Sequence, residues 1–174
     1  MILLIGGATH AGKTKLAQSL LEAYHYPYLS MDHLKMGLIR SGQTPLTPMD
    51  PDEAMTAYLW PIIREMIKTA VENGQNLIVE GCYIPCDWAE DFLEAYLSHI
   101  QCRFLILSRQ FIEIHWADIL SHANDVEQRL CDDLSKDDLI RENEELLRRC
   151  RIHGCPCHLV EGEYDITAEQ IFRL

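Results

Sequence analysis

The chain has 174 residues, about one domain, and 48% of them are hydrophobic, which supports a core without disulfide or metal staples and excludes a disordered chain. Acidic residues outnumber basic ones 27 to 15, and the formal net charge of −12 repels a phosphate backbone, so nucleic acid is not an expected partner. No apolar run approaches the roughly 18 residues of a membrane span, no basic leader precedes the opening "MILLI", and seven cysteines without an export signal read as reduced thiols; the expected location is the cytoplasm, with no membrane partner.

Taken in chain order, short apolar runs alternate with longer helical patterns. The runs are "ILLI" (2–5), "YPYLS" (26–30), "NLIVE" (76–80), "RFLILS" (103–108) and "CHLVE" (157–161). Continuous apolarity suits strands buried on both faces, so the pattern predicts an α/β fold around a five-stranded parallel sheet. Asp50-Pro51-Asp52-Glu53 predicts a helix start with Asp50 as cap, and Asn73-Gly74 closes the helix of 52–72. Asp87 to Glu90 and Thr167 to Gln170 have capping-box spacing, and Ser135 opens a charged helix through about Arg151. Residues 40–51 are rich in turn formers and, like 115–135, are a candidate mobile lid. Residues 115–135 mix helical periodicity with acidic breaks, and Trp116, Ile119 and Leu120 are expected to anchor one end of a mobile cover.

The strongest motif is G-x-x-x-x-G-K-T, made by Gly7, Ala8, Thr9, His10, Ala11, Gly12, Lys13 and Thr14. It follows the first strand and precedes the amphipathic pattern "KTKLAQSLLEAY", the context this loop requires. Its glycines let backbone N–H groups turn inward around an anion, and the helix N-terminus adds a favourable partial charge. Lys13, expected to stand exposed beside the loop, supplies a point charge for the β- and γ-phosphates of ATP. The Thr14 hydroxyl can ligate Mg²⁺. His10 can touch phosphate or simply fill the loop.

On this motif and the spacing of the later elements, the chain resembles the small P-loop kinases of the nucleotide-kinase-like group: adenylate, shikimate and gluconate kinases, and chloramphenicol phosphotransferase. The resemblance implies one P-loop NTPase domain over residues 1–174 with three α/β/α layers. It also implies a helical substrate-binding insertion, here 33–73, and a lid, here 115–135.

Beyond the loop, Asp32 lies just past the second strand, where ligands of open parallel sheets bind and a carboxylate can orient or deprotonate a substrate hydroxyl. An Asp after this strand contacts the acceptor in the shikimate and chloramphenicol kinases that the chain resembles; capping the following helix is the other role open to it. Glu80 ends the strand "NLIVE" and can hold Mg²⁺ opposite Thr14, like the acidic residue of adenylate kinases. The following "EGCYIPCD" lacks the Arg of the adenylate-kinase "DGFPR" pattern and is more similar to the "EG…P" segment of 2-phosphoglycerate kinases. Lys35 and Arg40 follow Asp32 on a short helix, and Arg64 lies in the next one. Lys35 and Arg40 can share a face that holds an anion, and by resemblance Arg40 and Arg64 bind the acceptor; as plain sequence all three are equally a solvated helix face. Arg109, after the fourth strand, and Arg129, in the lid segment, stand where family arginines meet adenine or the transferring phosphoryl group. Arg141, Arg148, Arg149 and Arg151 interleave with Glu142, Glu144 and Glu145 and read as a salt-bridged exposed helix. "CRIHGCPCH" has no recognised zinc spacing and reads as a helix-to-strand turn with buried thiols.

The combined reading is an ATP-dependent kinase that moves the γ-phosphoryl group of MgATP to a hydroxyl or phosphate of a small-molecule acceptor. Lys13, Asp32 and Arg129 are its catalytic candidates. The alternatives are a nucleotide-binding regulatory ATPase without an acceptor, and an inert binding module that kept the fold. Nucleoside monophosphate and a 2-phosphoglycerate-like phosphoacid are the alternative acceptors.

Overall fold

The structure, a computed structural model, describes residues 1–121, 135–164 and 166–172. Five strands form one sheet: β1 (Ile2–Gly7), β2 (Tyr28–Ser30), β3 (Leu77–Glu80), β4 (Ile100–Leu107) and β5 (Cys157–Val160). Their order is β2-β3-β1-β4-β5, and every neighbouring pair is parallel. The apolar runs therefore became strands, with different edges. β4 starts at Ile100, earlier than the run at 103, and β2 keeps only three residues.

Central β1 explains the layering. Alternate side chains of a strand point to opposite faces. Ile2 and Leu4 join one core with Leu59, Ile63 and Ile67 of α3 (Asp52–Glu72), while Leu3 and Ile5 join another with Leu16, Ala17 and Leu20 of α1 (Lys13–Tyr24). Ile2 to Ile5 are fully shielded from solvent. Burying each such side chain is worth about 1.5–3 kcal/mol, which holds β1 firmly at the centre of the sheet.

The connections also fix where a ligand can sit. α1 leads from β1 outward to β2 on one face, whereas α3 leads from β2 back toward β3 on the other. Connections thus part at the carboxyl ends of β1 and β3, the switch point at which open parallel sheets leave a crevice.

Helix ends follow local chemistry. At the end of α3, Gly74 takes a left-handed φ of 63°, and its N–H and that of Gln75 donate to Val71 and Ala70 carbonyls, as the Asn73-Gly74 pair predicts. The start of α3 differs from expectation. Asp50 does not cap it; its carboxylate accepts from Thr47 N and Thr47 Oγ1 at 2.6 and 2.8 Å, closing the preceding turn. The helix begins after Pro51, whose carbonyl accepts from Met55. The other predicted capping boxes split. Gln170 accepts from Thr167 N at 3.1 Å ahead of α8 (Ala168–Ile171). Asp87 precedes only a turn of 3₁₀ helix, Trp88–Asp91.

Among the described residues, three short α-helices lie between β3 and residue 136: α4 (Glu94–Leu97), α5 (Arg109–Ile114) and α6 (Trp116–Ser121). Then α7 (Lys136–Ile152) runs to the turn before β5. α2 (Met31–Arg40) leaves the end of β2. Of the expected lid, α6 is the described part. Ile119 is buried and Trp116 packs against the core, but Leu120 is 43% exposed and does not anchor the segment. Residues 122–134, including Arg129, lie outside the described residues.

Candidate phosphate and acceptor site

β1 delivers the chain into a turn over 8–12, and α1 starts at Lys13. The turn uses left-handed backbone at His10 (φ 56°) and Gly12 (φ 82°). Such alternation points successive N–H groups into one concavity, the geometry that receives an anion. Histidine tolerates this conformation better than branched residues do. Gly12 is required twice over: an added Cβ would lie 1.6 Å from the Tyr164 hydroxyl, and the φ itself disfavours a side chain. That hydroxyl donates to the Ala11 carbonyl at 3.0 Å and braces the loop from the β5 side. Burial pushes the Tyr164 phenol up to about 12, so it remains a donor.

Lys13 is not exposed, contrary to expectation. It is 6% exposed, and its Nζ donates to the Ala8 carbonyl at 2.7 Å and to Cys82 Sγ at 3.2 Å. The reason is that α1 begins at this residue, so the side chain folds back over its own loop. Burial works against the ammonium. The Cys82 sulfur and the carboxylates of Glu80 and Asp32 outweigh it, and the balance raises the Lys13 pKa. Lys13 therefore stays charged.

Glu80, the last residue of β3, is 1% exposed and pairs in register with Ile5 of β1 and Ser30 of β2. The Thr14 hydroxyl donates to its Oε2 at 3.3 Å. Sequence placed these two groups opposite each other, and the structure brings them into contact. A hydroxyl and a carboxylate are hard oxygen donors, the set Mg²⁺ takes when phosphate and water complete its shell. Residues and ion fit.

Asp32 lies in the first turn of α2, where Lys35 Nζ donates to its Oδ1 at 2.6 Å and to the Tyr83 hydroxyl at 2.8 Å. The lysine also lies 5.0 Å from the Tyr83 ring centre. Burial opposes the Lys35 charge, but bonds to Asp32 and Tyr83 prevail and raise its pKa. Ser30, not Asp32, occupies the cap position of α2, so capping does not explain Asp32.

The other basic candidates do not converge on this point. Arg64 is held by Glu65 and Asp91, at 2.9 and 3.2 Å, and Asp91 is fixed in turn by Trp60 Nε1 at 2.7 Å. Arg40 ends α2 exposed. Arg109 meets Glu144 of α7 at 2.8 Å, on the surface. Arg64 and Arg109 look outward because each is held by a carboxylate outside the crevice.

Four contributors were not singled out from sequence. Cys82 and Tyr83 follow Glu80 by two and three positions, and their place beyond a strand end was the available signal. Tyr164 follows β5 in the same way. Glu142 gave no signal. Its neighbours do form the expected surface pairs, Arg148 with Glu145 and Arg141 with Asp138, but Glu142 turns inward and accepts from the Thr9 amide at 3.0 Å. The Cys/His run divides as well. Cys150 and Cys155 are buried, with Cys86 Sγ 3.9 Å from Cys150 Sγ and Cys155 Sγ donating to the Cys86 carbonyl at 3.0 Å, while His153 and Cys157 are exposed. Among the described residues, no three His, Cys, Asp or Glu side chains are arranged to hold a metal ion. No described helix is long and apolar enough to cross a membrane.

No protein-family model and no curated protein matches the sequence. Solved structures do. A candidate kinase from Chloroflexus aurantiacus is 21% identical with a TM-score of 0.56, covering 99% of this chain and 91% of that one. Shikimate kinase from Aquifex aeolicus is 20% identical with a TM-score of 0.53, covering 98% and 91%. Deoxyadenosine kinase from M. mycoides, solved with bound dATP, is 13% identical with a TM-score of 0.50, covering 95% and 93%. At these identities the likeness shows a shared fold, an α/β architecture around a five-stranded parallel sheet.

Proposed function

We propose that the protein is an ATP-dependent phosphotransferase that moves the γ-phosphoryl group of MgATP to a hydroxyl or phosphate of a small metabolite. The observation that carries this reading is the convergence at the β1/β3 switch point. An anion-shaped loop, a charged Lys13, the Thr14–Glu80 oxygen pair and Asp32 occupy one rim, although they come from three strand ends. The kinases that share the fold add support.

In this scheme the loop amides and Lys13 bind the β- and γ-phosphates. Lys13 already hydrogen-bonds a carbonyl and a sulfur, and exchanging these for phosphate oxygens costs little reorganisation. Thr14 and Glu80 would hold Mg²⁺, which offsets phosphate charge when bound. Asp32 orients the acceptor hydroxyl and can take its proton, with Lys35 fixing the carboxylate by its 2.6 Å bond. Arg129 remains the candidate for the charge that develops on the transferring group.

The same residues favour a kinase over an ATPase that lacks an acceptor. A regulatory ATPase has no need of an Asp32 held by Lys35, itself fixed on the Tyr83 hydroxyl, at the end of β2. A metabolite panel that measures ADP release with and without candidate acceptors decides between them. Acceptor-dependent release with a phosphorylated product supports the kinase. Release that no acceptor changes supports the ATPase.

A further inference from the structure

The rim of the phosphate loop carries an anion of its own. The Thr9 amide donates to Glu142 Oε1 at 3.0 Å, across 133 positions of sequence. The helix that presents this carboxylate is firmly placed. Leu139 and Ile140 of α7 are buried in the core on the α1 face. Asn143, 1% exposed, accepts from Leu107 N at 2.8 Å and donates to the Leu139 carbonyl at 2.8 Å. Asn143 thereby ties α7 to the end of β4, and its neighbour Glu142 is held over the loop. Burial pushes the Cys82 thiol up; Lys13 opposes this, and the Asp32 and Glu142 carboxylates add to it, so Glu142 lies within electrostatic reach of that thiol.

A carboxylate oxygen on a loop amide makes the same kind of bond as a phosphate oxygen. One amide has one proton to donate. A phosphate chain that reaches the Thr9 end of the loop therefore meets an occupied donor and a like charge.

We propose that Glu142 is a built-in competitor for the phosphate loop, holding the Thr9 amide in the nucleotide-free protein and yielding it when a triphosphate enters. The proposal rests on the reading of Gly7–Thr14 as the nucleotide site and adds a regulation of that site. Displacing the carboxylate reduces nucleotide affinity, and by linkage a bound nucleotide loosens the hold of α7 on the loop. Phosphate arrival is thereby reported to α7, and α7 in turn sets how readily phosphate binds.

The test uses the whole protein, titration calorimetry with MgATP, and the backbone amide resonance of Thr9. Glu142→Gln removes the charge and keeps an acceptor of similar reach. It should tighten MgATP binding about threefold to tenfold, because a like charge facing the ligand is gone. Glu142→Asp keeps the charge and shortens its reach. It should shift the Thr9 amide resonance of the free protein and tighten binding by less. MgATP added to wild type should move the Thr9 and Glu142 resonances together. Equal or weaker MgATP affinity in folded Glu142→Gln overturns the competitor and leaves the nucleotide site standing; if that variant does not fold, unchanged affinity and an unmoved Thr9 resonance in Glu142→Asp do the same. Failure of wild type and both variants to bind MgATP or pyrophosphate overturns the nucleotide site, and the competitor with it.

Discussion

The two sides of the crevice are built in different ways. The proposed phosphate side comes from one contiguous stretch, Gly7–Thr14, whose working groups are mostly backbone N–H. Their direction follows from a buried strand, a turn with left-handed residues and a helix start. The proposed acceptor side is composite: Asp32 and Lys35 come from α2, and Cys82 and Tyr83 from the end of β3. Its groups are side chains, and each one's role depends on the partner it finds. Lys35 finds Asp32 inside the crevice, and Arg64 finds Asp91 outside it. The lesson is that a backbone site keeps its function wherever the fold is kept, whereas a side-chain site can be redirected by one neighbouring carboxylate.

The largest test of this contrast is Lys13→Ala, where the phosphate side relies on a charged side chain. Turnover of MgATP should fall about 100-fold or more, since the variant loses a preorganised charge in a shielded site. Stability should fall too, by about 1–3 kcal/mol, because the Ala8 carbonyl loses its donor inside the protein. Steady-state kinetics and denaturant unfolding measure the two effects. Undiminished turnover in a folded variant would sink the phosphate-loop reading.

Next in size are the two carboxylates, which should separate the two sides. Asp32→Asn should lower kcat about tenfold to 100-fold with little change in MgATP affinity. Glu80→Gln should instead raise the Mg²⁺ concentration needed for half-maximal activity. If both variants behave alike, the division into an acceptor and a metal side does not hold.

Gly12→Ala probes the loop's shape without touching charge. The left-handed φ and the Tyr164 hydroxyl both reject a Cβ, so unfolding free energy should drop by about 1–3 kcal/mol. A wild-type melting curve would show that the loop backbone is not held as described.

The smallest effect is expected at the arginines that face outward. Arg64→Ala and Arg109→Ala should change kcat/KM less than about threefold, as exposed ion pairs contribute little. A larger loss on Arg64→Ala would mean that acceptor draws this residue away from Asp91, and the composite side would need redrawing.

The same contrast governs what could be read from sequence. The five apolar runs gave the sheet because strands buried on both faces need little beyond apolarity. The loop was legible because its residues are consecutive, and Thr14–Glu80 followed from a strand-end rule. Lys13 was placed wrongly, as exposed, because its burial depends on Cys82 and on α1 starting at that very residue. Arg64 and Arg109 were drawn toward the site by position alone, and no sequence rule weighs Asp91 or Glu144 as rival partners. Glu142 was hidden for the opposite reason. Its charged neighbours form the surface pairs that its sequence suggests, and only the packing of α7 on β4 turns this one carboxylate inward.

The most direct measurement of the central claim is a MgATP titration followed by backbone amide resonances of the whole chain. If the loop receives the phosphates, the largest shifts fall on residues 7–15, with Glu80 following when Mg²⁺ is present and Arg64 staying still. Saturable MgATP binding that leaves the amides of residues 7–15 unmoved would contradict the account.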